Sequence, residues 1–286
     1  MKLDKFYTHP EVAKQCYDFL CQHYNLTNKT FLEPSAGAGA FSSLLSNCLA
    51  LDIAPEGNNI IKQNFLTFNT DKTDYITIGN PPFGSRSDMA IRFFNHAAGM
   101  SEIIAFILPV SFMKWSVQKQ LNNNFALAEY FYLPFEAFTA NNKPFGVRTI
   151  FQIWVNKNSS LYKGIDNRLK KQPPIKHEDF DIWQYNATEG AIKYIDEPWE
   201  IATYRQGYHD YNQLFFQKDY DFIKEKMTGE RKQQFFFIKP KTAQAKEIIL
   251  QMDFNALAER NTSTPGFGKG DFVNYYIEYK NNLKFL

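Results

Sequence analysis

A short polar and aromatic motif, Asn80-Pro81-Pro82-Phe83, directly follows an apolar run at residues 75–79. The apolar run is typical of a buried strand, and the prolines end it. An amide at a strand end, two rigid prolines and a flat ring could together hold an exocyclic amino group and stack the base that carries it. Taken alone, such a motif more often marks only a turn, so its meaning depends on the rest of the chain.

A glycine-rich turn lies upstream, Glu33-Pro34-Ser35-Ala36-Gly37-Ala38-Gly39, after a short apolar strand that ends at Leu32. We expect a helix to follow it, through Leu44 and Leu45. Gly37 and Gly39 carry no Cβ, so the main chain there can approach a ligand closely. The turn lacks the Gly-Lys-Ser/Thr ending of a phosphate loop and holds only part of the dinucleotide-binding pattern.

Asp52 stands at the end of the next predicted strand, residues 48–51. Its place after a Gly-x-Gly turn suits a carboxylate that accepts hydrogen bonds from ribose hydroxyls. The alternative is an ordinary loop or helix-capping acid, and the residues alone leave both open. In open α/β sheets, ligands bind outside the carboxyl ends of the strands. The sequence therefore predicts a ligand site where these two turns meet.

The elements that must position these residues alternate between strand and helix from residue 10 to about residue 155. This alternation predicts a doubly wound, mainly parallel sheet with helices on both faces. The periodicities predict helices at 10–24, 89–98 (capped by Ser87 or Asp88) and 115–121, and a weak helix at 60–66. They also predict strands at 75–79, 103–109, 125–133 and 147–155, with a loop at 141–146.

The character of the chain changes after residue 156, so we predict two domains, 1–158 and 159–286. The second part is rich in Tyr, Phe and Gln, has short segments, and contains a glycine-rich loop at 262–270 that includes Lys269. It is predicted to form a smaller mixed lobe.

Bulk properties limit the function classes. The formal net charge of the 286-residue chain is +2, so a nucleic-acid partner would have to meet a local basic patch. Three cysteines, Cys16, Cys21 and Cys48, lack metal-ligand spacing and suggest reduced thiols. No segment resembles a signal peptide or a membrane span. We expect a cytoplasmic protein without a metal ion and without a membrane partner.

Together, these motifs resemble the class I S-adenosylmethionine-dependent methyltransferases. Their order is similar to that of the N6-adenine DNA methyltransferases of the gamma arrangement, with the cofactor segments first, the catalytic tetrapeptide next and target recognition last. The resemblance covers residues 6 to about 156 and implies a Rossmann-like sheet. It also implies S-adenosyl-L-methionine as cofactor and a nucleic-acid partner, DNA more than RNA.

The resemblance assigns roles to particular residues. The catalytic residues are Asn80, Pro81, Pro82 and Phe83. The cofactor-binding residues are Tyr7, Thr8, Pro10, Glu33, Pro34, Ser35, Ala36, Gly37, Gly39, Asp52, Asn64 and Phe65. The substrate-binding residues are Phe83, Phe145, Arg86, Lys143 and Arg148. Asn64 departs from the pattern, because an acid is common at its position.

Three other functions fit parts of the pattern. An RNA adenine-N6 methyltransferase would use the same four residues on a different substrate. A protein glutamine methyltransferase faces a similar amide nitrogen, although such proteins usually have Tyr at the position of Phe83. A methyltransferase-like binding module would not need the intact motif at residues 80–83.

Overall fold

The structure is a computed structural model, and it describes residues 6–140, 143–261 and 264–283. The chain divides into two compact units, one ending at Lys170 and the other beginning at Lys171. The predicted boundary, at residue 158, lies earlier.

The first unit contains ten strands and three α-helices among its described residues. In chain order they are β1 (Tyr7–Thr8), α1 (Pro10–His23), β2 (Phe31–Glu33), β3 (Cys48–Asp52), β4 (Ile61–Lys62), β5 (Tyr75–Gly79), α2 (Asp88–Ala97), β6 (Ser101–Pro109), α3 (Trp115–Gln118), β7 (Phe125–Tyr132), β8 (Phe138–Ala140), β9 (Lys143–Phe145) and β10 (Thr149–Asn156).

Seven of these strands form one sheet in the order β4-β3-β2-β5-β6-β10-β7. The pairs from β4 to β6 are parallel, whereas β10 runs antiparallel to both β6 and β7. The predicted fold class, a Rossmann-like mainly parallel sheet, is confirmed. The order reverses between β2 and β5, because β3 lies on one side of β2 and β5 lies on the other.

Alternation along β6 shows how the sheet is covered. Ile103, Ala105 and Ile107 are fully buried in a cluster with α1. The intervening residues, such as Phe106 and Leu108, are buried in a second cluster with α2 and α3. Successive side chains of a strand point to opposite faces, so α1 covers one face and α2 and α3 cover the other. The apolar runs from which we predicted a doubly covered sheet therefore arise because helices cover both faces of these strands.

A second, three-stranded sheet has the order β1-β8-β9, with both pairs antiparallel. Tyr7 pairs with Thr139, and Phe138 pairs with Phe145. The predicted loop at 141–146 is therefore wrong for residues 143–145, which form β9, while residues 141 and 142 lie outside the described part of the chain. This sheet joins the N-terminal segment to the segment before β10.

Three local predictions of helices are wrong in type or in length. After the glycine-rich turn the chain forms only a 3₁₀ turn, Ser42–Leu44, because too few residues remain before β3 for an α-helix. The weak helix at 60–66 is replaced by β4, paired in parallel with the end of β3, and a 3₁₀ turn at Phe65–Thr67. Helix α3 ends at Gln118 rather than residue 121. In the first two cases chain length and strand pairing override local periodicity.

Helix α2 begins at Asp88, one residue before the predicted start at residue 89, and the Ser87 side chain does not cap it. Ser87 has a left-handed backbone, with φ of 67°, and its hydroxyl lies 2.9 Å from that of Ser111. The hydroxyl therefore ties the helix start to the turn after β6.

The second unit is mixed α/β. Its described elements are β11 (Phe180–Tyr185), β12 (Ile201–Gln206), α4 (Tyr220–Thr228), β13 (Gln234–Pro240), α5 (Ala243–Gln251), α6 (Phe254–Ala258) and α7 (Lys269–Leu283). The strands form an antiparallel sheet in the order β11-β13-β12. Lys269 starts α7 rather than lying in the predicted glycine-rich loop, of which residues 262 and 263 are outside the described chain.

Arg168 explains why the first unit extends beyond β10. Its guanidinium donates hydrogen bonds to the main-chain carbonyls of Gln118, of Leu121 at 2.6 Å and of Asn122 at 2.9 Å. It also lies 5.7 Å from the ring of Trp154, and the residue is only 8% exposed. The segment after β10 is therefore fastened to the end of α3 and the start of β7.

We expect Arg168→Ala to lower the free energy of unfolding by about 3 kcal/mol or more, because it leaves several buried carbonyls without donors. Urea denaturation followed by circular dichroism would measure the loss. Arg92→Ala is the matched control, since Arg92 is exposed, and it should change the midpoint little. Equal midpoints for the two variants would show that Arg168 does not fasten this segment.

Candidate active site

The predicted site residues gather where the order of the main sheet reverses. Glu33, Asp52 and Asn80 stand at or just after the carboxyl ends of β2, β3 and β5, three adjacent strands. Ligands of open α/β sheets bind at such a switch point. The sheet topology therefore brings the glycine-rich turn, Asp52 and the tetrapeptide at 80–83 to one edge.

The glycine-rich turn is held against the end of β3. The Ala36 N–H donates to the carbonyl of Leu51 at 2.9 Å, and the Gly37 N–H donates to Oδ2 of Asp52 at 2.7 Å. The Gly37 carbonyl accepts the N–H of Glu56 at 2.9 Å. Gly37 has a φ of 54°, in the left-handed region that favours glycine. These contacts fix the turn without a following α-helix.

Asp52 has a structural role as well as the predicted ligand role. Its Oδ2 accepts the Gly37 N–H, and its Oδ1 accepts the Ala54 N–H at 2.7 Å. An ionised carboxylate has about four acceptor positions. Each oxygen can therefore accept a further bond, and the anchoring of the turn is compatible with binding ribose hydroxyls.

Strand β1 places Tyr7 beside the glycine-rich turn. A Cβ built on Gly37 would lie 3.5 Å from Cε1 of Tyr7, so the ring is in contact range of the turn. Thr8 is buried next to it, whereas Pro10 is exposed in the first turn of α1. The Tyr7 ring therefore lies beside the part of the turn predicted to bind the cofactor.

Glu33 is a buried carboxyl at this edge. It is 2% exposed, and its Oε2 accepts the Ser42 N–H at 2.7 Å. Burial raises the pKa of this carboxyl to about 7, although the hydrogen bonds from Ser42 oppose the shift. A Cβ on Gly79 would lie 3.4 Å from Cγ of Glu33 and 3.6 Å from Cδ of Pro34. The glycine before Asn80 therefore lets β5 pass close to both residues.

Asn80 carries the most unusual polar atom of the site. Its side-chain Oδ1 is buried and has no hydrogen-bond partner among the described residues. Its main-chain carbonyl accepts the Ser35 hydroxyl at 3.0 Å, which ties it to the glycine-rich turn. Buried polar atoms are almost always paired, and an unpaired one costs free energy. An acceptor kept in this state is ready for a donor from a ligand.

Aromatic rings lie beside the tetrapeptide. Phe83 is partly buried and meets Phe138 edge-on, with ring centroids 6.4 Å apart. Phe145, opposite Phe138 in the β8–β9 pair, stacks on Phe6 at 4.3 Å. Phe83 is therefore held in place by a fully buried ring, while one face of Phe145 is covered by Phe6.

The turn after the tetrapeptide is strained. Arg86 has a φ of 52° and Ser87 has a φ of 67°, both in the left-handed region. Non-glycine residues rarely adopt this conformation, and such strain concentrates at functional sites. Arg86 itself is exposed. These left-handed residues had no signal in the sequence.

Asn64 and Phe65 lie farther along the same edge, after β4. Oδ1 of Asn64 accepts the Leu66 N–H at 3.0 Å and caps a 3₁₀ turn. Phe65 is 1% exposed, with its ring centroid 5.2 Å from that of Phe93. The Phe65 side chain belongs to the core, so only its main-chain groups could meet a ligand.

The two remaining predicted contacts differ in what the structure describes. The Lys143 side chain lies outside the described part, although its backbone opens β9. The Arg148 guanidinium lies 5.3 Å from the ring of Phe135.

The structure also bears on metal binding and on membrane insertion. In the described residues no group of three or more His, Cys, Asp or Glu side chains could hold a metal ion. The helices of the described ranges include none with the length and apolar character needed to cross a membrane.

A surface recess lined by Tyr17, Phe31 and Asn47 lies at the amino ends of β2 and β3, the edge opposite Asn80. We place the candidate site at the carboxyl ends, where open α/β sheets bind ligands.

Solved structures with low identity resemble part of the chain. One is the modification subunit of a candidate type I restriction enzyme from Vibrio vulnificus YJ016, 15% identical over 54% of this chain and 45% of that chain, with a TM-score of 0.40. Another is a candidate RNA methyltransferase from Pyrococcus horikoshii, 17% identical over 54% of this chain and 87% of that chain, with a TM-score of 0.44. A third is the 23S rRNA methyltransferase ErmE, 13% identical over 56% of this chain and 73% of that chain, with a TM-score of 0.39. No protein-family model and no curated protein matches the sequence.

We expect Glu33→Gln to stabilise the protein above pH 7. The folded pKa of Glu33, about 7, lies above its ordinary value of 4.5, so between these values the folded chain keeps a proton that the unfolded chain releases. The free energy of unfolding therefore falls as pH rises through this window. A glutamine keeps the acceptor for the Ser42 N–H but cannot ionise, so the gain above pH 7 should be about 3 kcal/mol.

Thermal denaturation of both proteins from pH 4.5 to pH 8 would measure this effect. The difference should shrink toward the low end of the range, where Glu33 is protonated. Glu189→Gln, at an exposed position, should give no such pH-dependent gain. A constant difference between Glu33→Gln and the native protein at every pH would contradict the raised pKa.

Proposed function

We propose that this chain is an S-adenosyl-L-methionine-dependent methyltransferase that methylates the N6 amino group of adenine in DNA. The observation that carries the proposal is the buried, unpartnered Oδ1 of Asn80, tied through Ser35 to a glycine-rich turn. A methyltransferase of this kind needs an acceptor for an amine beside a cofactor turn, and the site offers both.

The residues of the site fit the proposed cofactor. Gly37 has no Cβ beside the Tyr7 ring, so the turn is open to a close ligand. Asp52 would accept bonds from ribose hydroxyls, and Asn64 and the main chain of Phe65 would lie near the cofactor adenine. When bound, S-adenosyl-L-methionine supplies an electrophilic methyl carbon. Holding it at the carboxyl ends of β2 and β3 would present that carbon toward Asn80.

The proposed role of Asn80 follows from the chemistry of the substrate. An aromatic amine is a weak nucleophile because its lone pair is delocalised into the ring. Asn80 Oδ1 accepts one N–H of the amine, and the Pro81 carbonyl accepts the other. Two acceptors placed in this way would favour a tetrahedral nitrogen, whose lone pair would be free to bond the methyl carbon while the bond from that carbon to the sulfonium sulfur breaks and its electron pair stays on sulfur. An amide is not a base, so the released proton passes to solvent, and catalysis depends on position and fixed dipoles.

The target base must leave its duplex to reach this site. Flipping costs a few kcal/mol, and stacking on an aromatic ring returns roughly 1–3 kcal/mol per base. Phe83 is the proposed platform, because the edge contact with Phe138 already fixes its ring. Phe145 is the proposed wall on the other face of the base, and Arg86, Lys143 and Arg148 are the proposed contacts to the strand.

The second unit is the proposed target-recognition region. The order of the motifs, with cofactor segments before the tetrapeptide and a separate unit after them, supports DNA as the substrate. The compact core of the second unit, with residues such as Phe235, Phe237 and Ile238 fully buried, supports a folded recognition lobe rather than a linker.

Asn80→Ala should reduce methyl transfer by about a hundredfold or more, since it removes one preorganised contact to the reacting amine. Transfer of labelled methyl groups to unmethylated genomic DNA would measure the rate, and calorimetry would measure binding of the cofactor, which should persist. Asn123→Ala, at an exposed asparagine, is the matched control and should keep full activity.

Two results would contradict the proposal. Full activity of Asn80→Ala would refute the role of its oxygen. If labelled methyl groups appeared in total RNA and in no DNA, the substrate would be RNA rather than DNA, and the proposed chemistry of the site would still stand.

A further inference from the structure

Three exposed aromatic side chains cluster at the end of β7. Tyr130 is 38% exposed, Tyr132 is 54% exposed and Phe135 is 52% exposed. Single exposed apolar residues are common on protein surfaces, whereas a contiguous group marks an interaction site. Tyr130 and Tyr132 form such a pair, with ring centroids 6.3 Å apart, and Phe135 follows three positions later in the chain.

Strand β7 displays two of these rings on one face. It is an edge strand of the main sheet. Alternation sends Glu129 and Phe131 to the side of α1, where the Phe131 ring lies 4.7 Å from that of Phe19. Tyr130 and Tyr132 therefore share the other face, with ring centroids 6.3 Å apart and ring planes nearly perpendicular. The Asn167 N–H donates to the Leu127 carbonyl at 2.8 Å and the Asn167 side chain donates to the Ala128 carbonyl at 2.9 Å, so Asn167 covers the edge of β7 at these two residues.

Positive charge accompanies the rings. The Arg148 guanidinium lies over the ring of Phe135, 5.3 Å from its centroid. Glu136 follows Phe135 in the sequence, and its side chain is exposed. We call Tyr130, Tyr132, Phe135 and Arg148 the aromatic surface. Rings and a guanidinium offer planes for stacking and a charge for phosphate.

The aromatic surface continues the edge that carries Asn80. The sheet order from the tetrapeptide outward is β5, β6, β10 and β7. The Arg148 carbonyl accepts the Val110 N–H at 3.2 Å, which fixes Arg148 beside the carboxyl end of β6. With a strand spacing of about 4.8 Å, β7 lies about 14 Å from β5. A few nucleotides of an extended strand would span that distance.

We propose that the aromatic surface binds the unpaired nucleic-acid strand that flanks the target base. The inference rests on the proposed function, because bringing a base to Asn80 costs least where the strand around it is already unpaired. Exposed rings bind such bases in any sequence, because every base has a flat face. A guanidinium among rings favours a polyanion with bases over an apolar protein partner.

Binding of a short fluorescein-labelled single-stranded DNA, measured by anisotropy with cofactor present, tests the proposal. The double variant Tyr130→Ala, Tyr132→Ala should raise Kd by about tenfold or more, because stacking contacts are lost. The variant Tyr130→Phe, Tyr132→Phe keeps the rings and should bind nearly as the native protein does. Ile165→Ala is the surface control, since Ile165 is 43% exposed in the first unit and belongs to no proposed site.

A second measurement needs no variant. Nitration of tyrosines by tetranitromethane, read by mass spectrometry, should be slowed at Tyr130 and Tyr132 by the oligonucleotide, and not at Tyr17, which lines the recess at the opposite edge of the sheet. An unchanged Kd in the alanine variant, or equal nitration with and without DNA, would overturn the proposal. The proposal would also be overturned if a protein partner bound saturably at these tyrosines without competing with DNA.

The two proposals fail in different ways. If the protein methylates no nucleic acid but binds the oligonucleotide through the tyrosines, the proposed function is wrong and the aromatic surface stands. If methylation is normal and the alanine variant keeps its Kd and KM, the aromatic surface is wrong and the proposed function stands.

Discussion

The hydrogen bond from the Ser35 hydroxyl to the main-chain carbonyl of Asn80 joins the two halves of the candidate site. One partner follows β2 and the other follows β5, and the sheet order reverses between these strands. Without the tie, the glycine-rich turn and the tetrapeptide would be two separate loops. With it, a displacement of either turn moves the other, so the proposed cofactor and amine sites share one geometry.

The site holds several unfavourable features in a small volume. Asn80 keeps an unpaired buried acceptor, Arg86 and Ser87 adopt left-handed backbones, and Glu33 is a buried carboxyl. Each is disfavoured by itself. They persist because the strands beneath them are packed on both faces, for example through Ile107 and Phe106 of β6. The rigidity of the core is what allows the loops to hold these conformations.

The sequence was sufficient for the central strands and for the convergence of Glu33, Asp52 and Asn80 at their carboxyl ends. Strand β5 was predicted at its observed bounds, because an apolar run followed by two prolines has few alternatives. It was insufficient where partners distant in the chain decide the outcome. Strand β4 has two residues and exists because it pairs with the end of β3, and β9 exists because β8 lies beside it. Arg168 binds carbonyls about 50 positions away in the chain, a contact for which local patterns carry no signal.

The sequence likewise predicted some features of the candidate site and not others. Residue types placed Asn80, Gly37 and Asp52 at one edge, because strand ends in a parallel sheet converge. They could not show that Oδ1 of Asn80 is unpaired or that Asp52 supports the turn with both oxygens. Those facts depend on atomic neighbours that only the fold assembles.

The short 3₁₀ turn after Gly39 has a consequence for ligand charge. A dinucleotide site places a pyrophosphate against the N-terminus of a long helix, whose aligned peptide dipoles attract anions. Here three residues, Ser42–Leu44, replace that helix, and the carboxyls of Glu33 and Asp52 lie nearby. The glycine-rich turn therefore lacks the anion-binding helix end of a dinucleotide site, and the Asp52 carboxylate beside it does not favour a pyrophosphate in that turn.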